Sequence, residues 1–364
     1  MCAVDGGGKD AAPEGMVKRK MEKIMTSTII ETAKALSFKT DLEFYNISSE
    51  RAMKTIMAVV GGSSEEHRPD EFLVVWEVFD AAGRNWRIAR YSSGYNQDNF
   101  IGVKTPFLRW DDLELLQEVV YALCRAGAKV DEFDCQHVHV GIADFDAQQI
   151  ANIMWIVYRN EELLLSATGT LDQVSELDIM RTDPEFMARL DTLKPLTLES
   201  LNIAWFGEPY AYPDPIYCNE IGYHDISIHY VWRDQTVEFN FFFGSTDPSE
   251  IKSNIQLCLA IAARARTVTN AEAKKRSSCG VGCTKAAMES FLLDVGLVGP
   301  EFEETRSYLL KRLPGPSNHK FRDSDFAQER NHQEDRTSSE SARPEGWLVK
   351  AARYIEETAR AWFD

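Results

Sequence analysis

Three stretches of the chain alternate polar and apolar residues with a period of two, and their polar members are mostly acids and histidines rather than Lys, Thr or Ser. Asp41 and Glu43 are interleaved with Leu42 and Phe44, and His137 and His139 with Val138 and Val140. Glu238 and Asn240 are interleaved with Val237, Phe239 and Phe241. Side chains at i and i+2 of a strand share a face. Each segment therefore reads as a β-strand with an apolar face for a helical layer and a polar face for something else. For any one pair the ordinary reading is a solvated sheet face. Three together need a counter-charge, because carboxylates gathered on one face repel unless a cation lies among them. Carboxylate oxygens suit Mg²⁺, and imidazole widens the choice to Mn²⁺ or Zn²⁺.

The other elements set this face in an α+β context. Glu71–Asp80 and Asn85–Ser93 flank a short Gly-containing turn and read as a hairpin, hence antiparallel pairing. The segment ISIHYVW (226–232) reads as a further strand. Helical stripes run through Met53, Ile56, Met57 and Val60 to Gly61, and through Leu116, Val119, Val120 and Leu123 to Gly127. Asp111, with Glu114 three residues on, fits the N-cap of the second stripe. Ile150, Ile153, Met154 and Val157 form a third stripe. A fourth starts at Asp247 with Pro248 in the first helical position, and a fifth runs from Met288 to Val295. Hairpins with helices on one side make an α+β fold.

The formal net charge of -17 argues against a nucleic-acid or anionic-membrane surface, though a local basic pocket for a small phosphate ligand stays compatible with it. No run approaches the roughly 20 apolar residues of a membrane span. Seven cysteines are an odd number and fit a reducing compartment. The chain reads as cytoplasmic. Cys279-Gly-Val-Gly-Cys283 lacks a second pair at zinc-finger distance and receives no role. Residues 1–28 read as a disordered segment, 29–314 as the folded domain, and 315–345 as a polar linker. Residues 346–364 read as an amphipathic helix that docks on its own domain or on a partner.

Several motifs in consistent order resemble the amidoligase family. They are KTDLEFYNISSERAMKTI, NWRIARYSS, VKTPFLRWDDLELLQEVVYALCRAGAKV, DCQHVHVGI, the stretch from Tyr223 through the following helix, and ESFLLDVGLVGPEFEETRSYLLKRLPG, within about Ser37 to Gly315. The resemblance implies a curved, mainly antiparallel sheet like that of glutamine synthetase and glutamate–cysteine ligase. Its polar concave face would hold ATP and Mg²⁺. The implied reaction activates a carboxylate as an acyl phosphate, which an amine on a small-molecule or peptide substrate then attacks.

Within that pattern Asp41 and Glu43 match the first acidic pair, with Asp for the usual Glu, and His137, His139 and Glu238 are intact. The resemblance gives Asp41, Glu43 and Glu238 a metal-holding role. His137, His139 and Lys311 are assigned to nucleotide binding, and Lys104 and Arg312 to catalysis. Four positions depart: Gly102 and Tyr91 stand where the family has acids, and Gly222 and Asn240 where it has arginines. Asp134-Cys135 replaces a Cys-Gly. Lys104, Arg90, Lys311 and Arg312 are the candidate replacement cations. Two functions follow, an ATP-dependent carboxylate–amine ligase or a ligase fold that has lost catalysis and acts in binding. A zinc hydrolase built on His137 and His139 is a more distant third.

Overall fold

The computed structural model describes residues 14–68, 73–91, 100–131, 134–171, 180–207, 224–276 and 283–317. The first half runs α1 (Glu14–Ala35), β1 (Phe38–Phe44), α2 (Ser49–Val60), β2 (Ser63–His67), β3 (Leu73–Phe79), β4 (Asn85–Tyr91), β5 (Ile101–Lys104), α3 (Leu113–Arg125) and β6 (Cys135–Gly141). Then follow α4 (Ala147–Thr168), α5 (Pro184–Thr192), α6 (Leu198–Phe206), β7 (Ile226–Ser227), β8 (Thr236–Phe243), α7 (Pro248–Thr267), α8 (Asn270–Ala273), α9 (Lys285–Asp294) and α10 (Glu303–Leu310). The fold is α+β. Among the described residues eight strands form one sheet in the order β2-β3-β4-β5-β1-β6-β8-β7, and neighbouring strands pair antiparallel. Among the described residues no helix is long and apolar enough to cross a membrane.

The alternation that marks the strands also decides which face is covered. Phe38, Leu42 and Phe44 of β1, Val138 and Val140 of β6, and Trp86 and Ile88 of β4 are buried in the main core. The interleaved Lys39, Asp41 and Glu43 are partly open. Helix α7 packs against β6 and is in turn touched by α1, α3, α4 and α10. Its residues from Ile251 to Ala265 are almost all buried, as an interior helix requires.

A polar bridge ties this helix to the middle of the sheet. Gln136, fully buried on β6, donates from Nε2 to the Ile251 carbonyl (3.4 Å) and to Thr40 Oγ1 (3.4 Å), and accepts from Asn254 Nδ2 (2.9 Å). Thr40 Oγ1 donates in turn to the His137 carbonyl at 2.7 Å. Buried amides are retained only when they are bonded, so these groups fix how β1, β6 and α7 sit together beneath the polar face.

Some elements differ from their sequence reading. The stretch 226–232 is not one strand: pairing stops after Ser227, and residues 229–231 form a 3₁₀ turn. The helix expected to open at Asp111 is preceded by a 3₁₀ turn at Trp110–Asp112, and it is the Asp112 carboxylate that accepts the Arg109 N–H (2.9 Å). Helix α1 begins at Glu14, inside the segment expected to lack structure, although the residues that dock it (Ile29, Ala33 and Leu36) lie beyond that segment. The edge strand β2, Ser-Ser-Glu-Glu-His, has no apolar period to announce it; charged residues are usual on an edge. The terminal helix, most of the polar linker and most of the Cys279–Cys283 loop lie outside the described residues.

The Gln136 bridge yields a test. Gln136→Leu leaves Asn254 without its buried acceptor and should cost about 1–3 kcal/mol. Leu at both 136 and 254 should recover part of that loss. Urea denaturation of the two variants checks it; equal losses in both would show that the bridge is not a coupled unit.

Candidate active site

Strand register brings the predicted acids and histidines together. Asp41 lies opposite His137 on one side and Lys104 on the other. Lys39 lies opposite His139, which lies opposite Glu238. Asp41, Glu43, His137, His139 and Glu238 all occupy the face of the sheet away from the main core.

Each charge on this face has a definable environment. Burial works against the Asp41 carboxylate, but Lys104 (Nζ to Oδ2, 2.8 Å), with His139 and Lys39 behind it, more than offsets this and holds its pKa far below the usual range. Glu238 Oε1 is shared by His137 Nδ1 and His139 Nε2, each at 3.3 Å. Burial opposes its charge too, and the imidazoles outweigh it. The two rings play different parts. Burial opposes the charge of His137, yet hydrogen bonds to Cys135 and Glu238 raise its pKa well above that of a free imidazole. Burial pushes His139 down to about 4, so at neutral pH its ring is uncharged beside Glu238, and His137 carries the positive charge.

Glu43 stands apart. Its Oε2 accepts the Cys135 backbone N–H at 3.0 Å, and among the described residues no Lys or Arg bonds to it. Burial raises its pKa, with Asp41 and Asp131 adding to the effect against His137. It is a carboxyl group in need of a cation. The chemistry of a hard-cation ligand fits Glu43 best of the three predicted metal carboxylates, since Asp41 is already neutralised by Lys104 and Glu238 by the charged His137. Among the described residues no three His, Cys, Asp or Glu side chains are drawn together as a ligand set.

The far end of the face is walled. Tyr230 sets its ring edge against His139 (centroids 5.1 Å apart), and Arg233 stacks on Tyr230 (4.9 Å). Lys39 bonds to Asp234 (3.1 Å), which Arg233 also holds (3.0 Å). At the opposite end of the charged row, Arg87 of β4 lies opposite Lys104 and bonds Glu77 at 2.9 Å. Lys39, Arg87 and Asp234 were missed from the sequence. Extending the i, i+2 alternation back from Asp41 finds Lys39, but Arg87 and Asp234 join only through register.

The candidate replacement cations separate. Lys104 is in the site. Lys311 and Arg312 are not: both pair with Glu250 and lie over Tyr308, whose hydroxyl burial raises to about 12. Arg90 lies opposite Ile101 and Val74, one residue out of phase with the polar face. Asn240 does not extend the Glu238 row. A β-bulge sets Asn240 and Phe241 against His137 alone, and the Asn240 amide donates to the His224 carbonyl at 3.0 Å. Bulges re-aim side chains beside functional sites. Gly222 and the side chain of Tyr91 lie outside the described residues.

A family model described as "putative amidoligase enzyme" matches residues 36–262, more than half of the sequence, and the chain belongs to that family. The match takes in every charge on the polar face and ends before Lys311 and Arg312. No curated relative matches the sequence.

A second buried acidic pair lies at the sheet edge. Asp225 Oδ1 accepts from Thr182 Oγ1 (2.8 Å), and Glu161 Oε1 accepts the Thr182 N–H (2.9 Å). Burial, followed by the charge of Glu161, raises the Asp225 pKa well above the normal carboxyl value. The folded chain therefore keeps a proton that the unfolded chain loses above about pH 4. Stability then falls as pH rises through that window. Asp225→Asn supplies an N–H in place of the proton, so its advantage over the wild type in thermal unfolding should grow from pH 4 upward. An advantage independent of pH would refute the retained proton on Asp225.

Proposed function

We infer that the protein is an ATP-dependent carboxylate–amine ligase. The observation that carries this reading is the coincidence of the family match with a sheet face on which acids, imidazoles and cations converge. The antiparallel sheet agrees with the cradle used by glutamine synthetase and glutamate–cysteine ligase, to which the family resemblance points. Bound Mg-ATP supplies the phosphoryl group that activates a carboxylate as an acyl phosphate for attack by an amine.

The chain's own residues then take distinct parts. Glu43 holds the metal, and Glu238 lies on the same face two strands away, across β6. Lys104, fixed by Asp41, presents a cation to developing negative charge. Neutral His139 keeps Glu238 oriented, and charged His137 adds a second donor toward an anionic ligand. The donor carboxylate and acceptor amine belong to a small-molecule or peptide substrate.

A second reading, a ligase fold retained for binding, draws on two observations. Asn240 is turned to a backbone carbonyl, and Lys311 and Arg312 are turned to Glu250. An enzyme releases phosphate only when nucleotide, carboxylate and amine are all present, whereas a binding protein takes up nucleotide without turnover.

Calorimetric titration of ATP with and without Mg²⁺, followed by phosphate release with a pool of amino acids and ammonium, tests the reading. Glu43→Gln should abolish the Mg²⁺ dependence of binding while leaving the melting temperature unchanged or higher, because it removes a charge that burial and the neighbouring acids Asp41 and Asp131 disfavour. Glu238→Gln should lower the melting temperature, because it leaves the His137 cation without its partner. Wild-type protein that binds neither ATP nor Mg²⁺ would end the ligase reading.

A further inference from the structure

Residues 180–183 lead into α5 as a strap beside the start of β7, where Met180 bridges His224. Thr182 pins the strap to two elements at once. Its N–H donates to Glu161 Oε1 on α4 (2.9 Å) and its hydroxyl to Asp225 Oδ1 (2.8 Å). The Asp225 N–H donates to the Met180 carbonyl (2.8 Å), and His224 Nδ1 bonds to the Arg181 carbonyl (2.6 Å). The Glu161 and Asp225 carboxyl groups are both buried and lie within hydrogen-bond reach of each other. Asp225 Oδ2 meets no donor among the described residues. Ionised carboxylates only accept, so a bond between the two requires a proton on one of them.

The other charged and titratable groups around the pair do not take over from that proton. Arg181, half-exposed, reaches Glu161 Oε2 only at 3.5 Å. Asp183 accepts the N–H groups of Glu185 and Phe186 at the start of α5, and His224 is turned to the Arg181 carbonyl. From β8 the neighbour is the uncharged Asn240, whose N–H holds the Asp225 carbonyl (2.8 Å) and whose amide holds the His224 carbonyl (3.0 Å). Burial and the Glu161 charge favour the protonated form of Asp225.

The strap is joined by packing to both histidines of the polar face. Trp205 of α6 packs on Phe186 of α5 (4.8 Å) and on His224 (6.0 Å). Phe206 packs on His229 (5.3 Å), His229 on Tyr230 (5.3 Å) and Tyr230 on His139 (5.1 Å). On the strand side Asn240, tied to His224 and Asp225, belongs to the bulge opposite His137.

We propose that Glu161 and Asp225 form a proton-operated latch. While one proton bridges the two carboxyl groups, the latch seats the strap and the α5–α6 helix pair against the wall of the candidate active site. When the proton leaves, the strap and the helices are released. The latch is independent of the ligase reading, since it concerns what positions the wall and not what the face binds. Without the proton two buried like charges face each other across Thr182, and water competes for both carboxylates.

The test is hydrogen–deuterium exchange of the full chain in EDTA, from about pH 4, the ordinary Asp pKa, to about pH 8, corrected for the intrinsic exchange rate. Opening releases one proton, so protection of residues 180–206 and 226–235 is complete at the acid end. It should then fall about tenfold for each pH unit until the raised pKa of Asp225 is passed. Asp225→Asn and Glu161→Gln each place an amide N–H where the proton sits. Each should flatten the slope while the strap stays closed, and either serves if the other does not fold. A flat wild-type profile, or an amide variant that keeps the wild-type slope, would overturn the latch. A slope confined to 180–206 would sever it from the ring wall. A slope shared by the buried amides of β1 would replace local release with global unfolding. Recovery of protection at high pH with Mn²⁺, in a parallel sample without EDTA, would replace the proton with a metal ion and overturn the proposal.

Discussion

The antiparallel pairing of β1 with β6 governs the rest of the site. Asp41 opposite His137 and Lys39 opposite His139 set the phase of the central strands. Because side chains alternate with a period of two, a slip of one residue would turn the acids and histidines into the apolar core. Such a slip is opposed from below. Phe38, Leu42, Phe44, Val138 and Val140 are buried on the opposite face, and Thr40 and Gln136 are committed to one another and to α7. The same set of contacts that closes the core therefore aims the charges.

Charge balance then explains the arrangement on the polar face. Carboxylates collected on one face need a counter-charge, and for two of them the protein's own side chains supply it. Lys104 neutralises Asp41, and the imidazoles of His137 and His139 share one oxygen of Glu238. Glu43 is different because its strand neighbours across the sheet are Gly102 and, through a backbone N–H, Cys135, neither of which brings a cation. Gly102 has two consequences at once: it leaves Glu43 without a cross-strand counter-charge and leaves space beside Lys104 and Arg87. The chain's net acidity thus coexists with a local cationic pair.

Much of this was legible in the sequence, for a physical reason. The i, i+2 alternation in β1 and β6 is enforced by strong apolar neighbours, so it identified the strands and the face of Asp41, Glu43, His137 and His139 together. It failed where backbone geometry breaks the alternation. The β8 bulge opposite His137 separates Asn240 from the row begun by Glu238, and a bulge leaves no mark in the apolar pattern of Val237, Phe239 and Phe241. Cross-strand partners were equally hidden. Arg87 joins Lys104 through the β4–β5 register, which depends on the chain between those strands rather than on either strand. Lys311 and Arg312, plausible as cations by charge alone, are taken by Glu250 at the start of α7.

The claim that Glu43, to which no Lys or Arg bonds among the described residues, is the metal ligand can be tested by crystals of the full chain grown with Mn²⁺ and a non-hydrolysable ATP analogue. Anomalous scattering would locate the ion directly. The expected result is a peak within coordinating distance of the Glu43 carboxylate, with the analogue's phosphates on the polar face of the sheet. A manganese ion bound away from Glu43, for example beside Glu161 and Asp225 at the sheet edge, would contradict it.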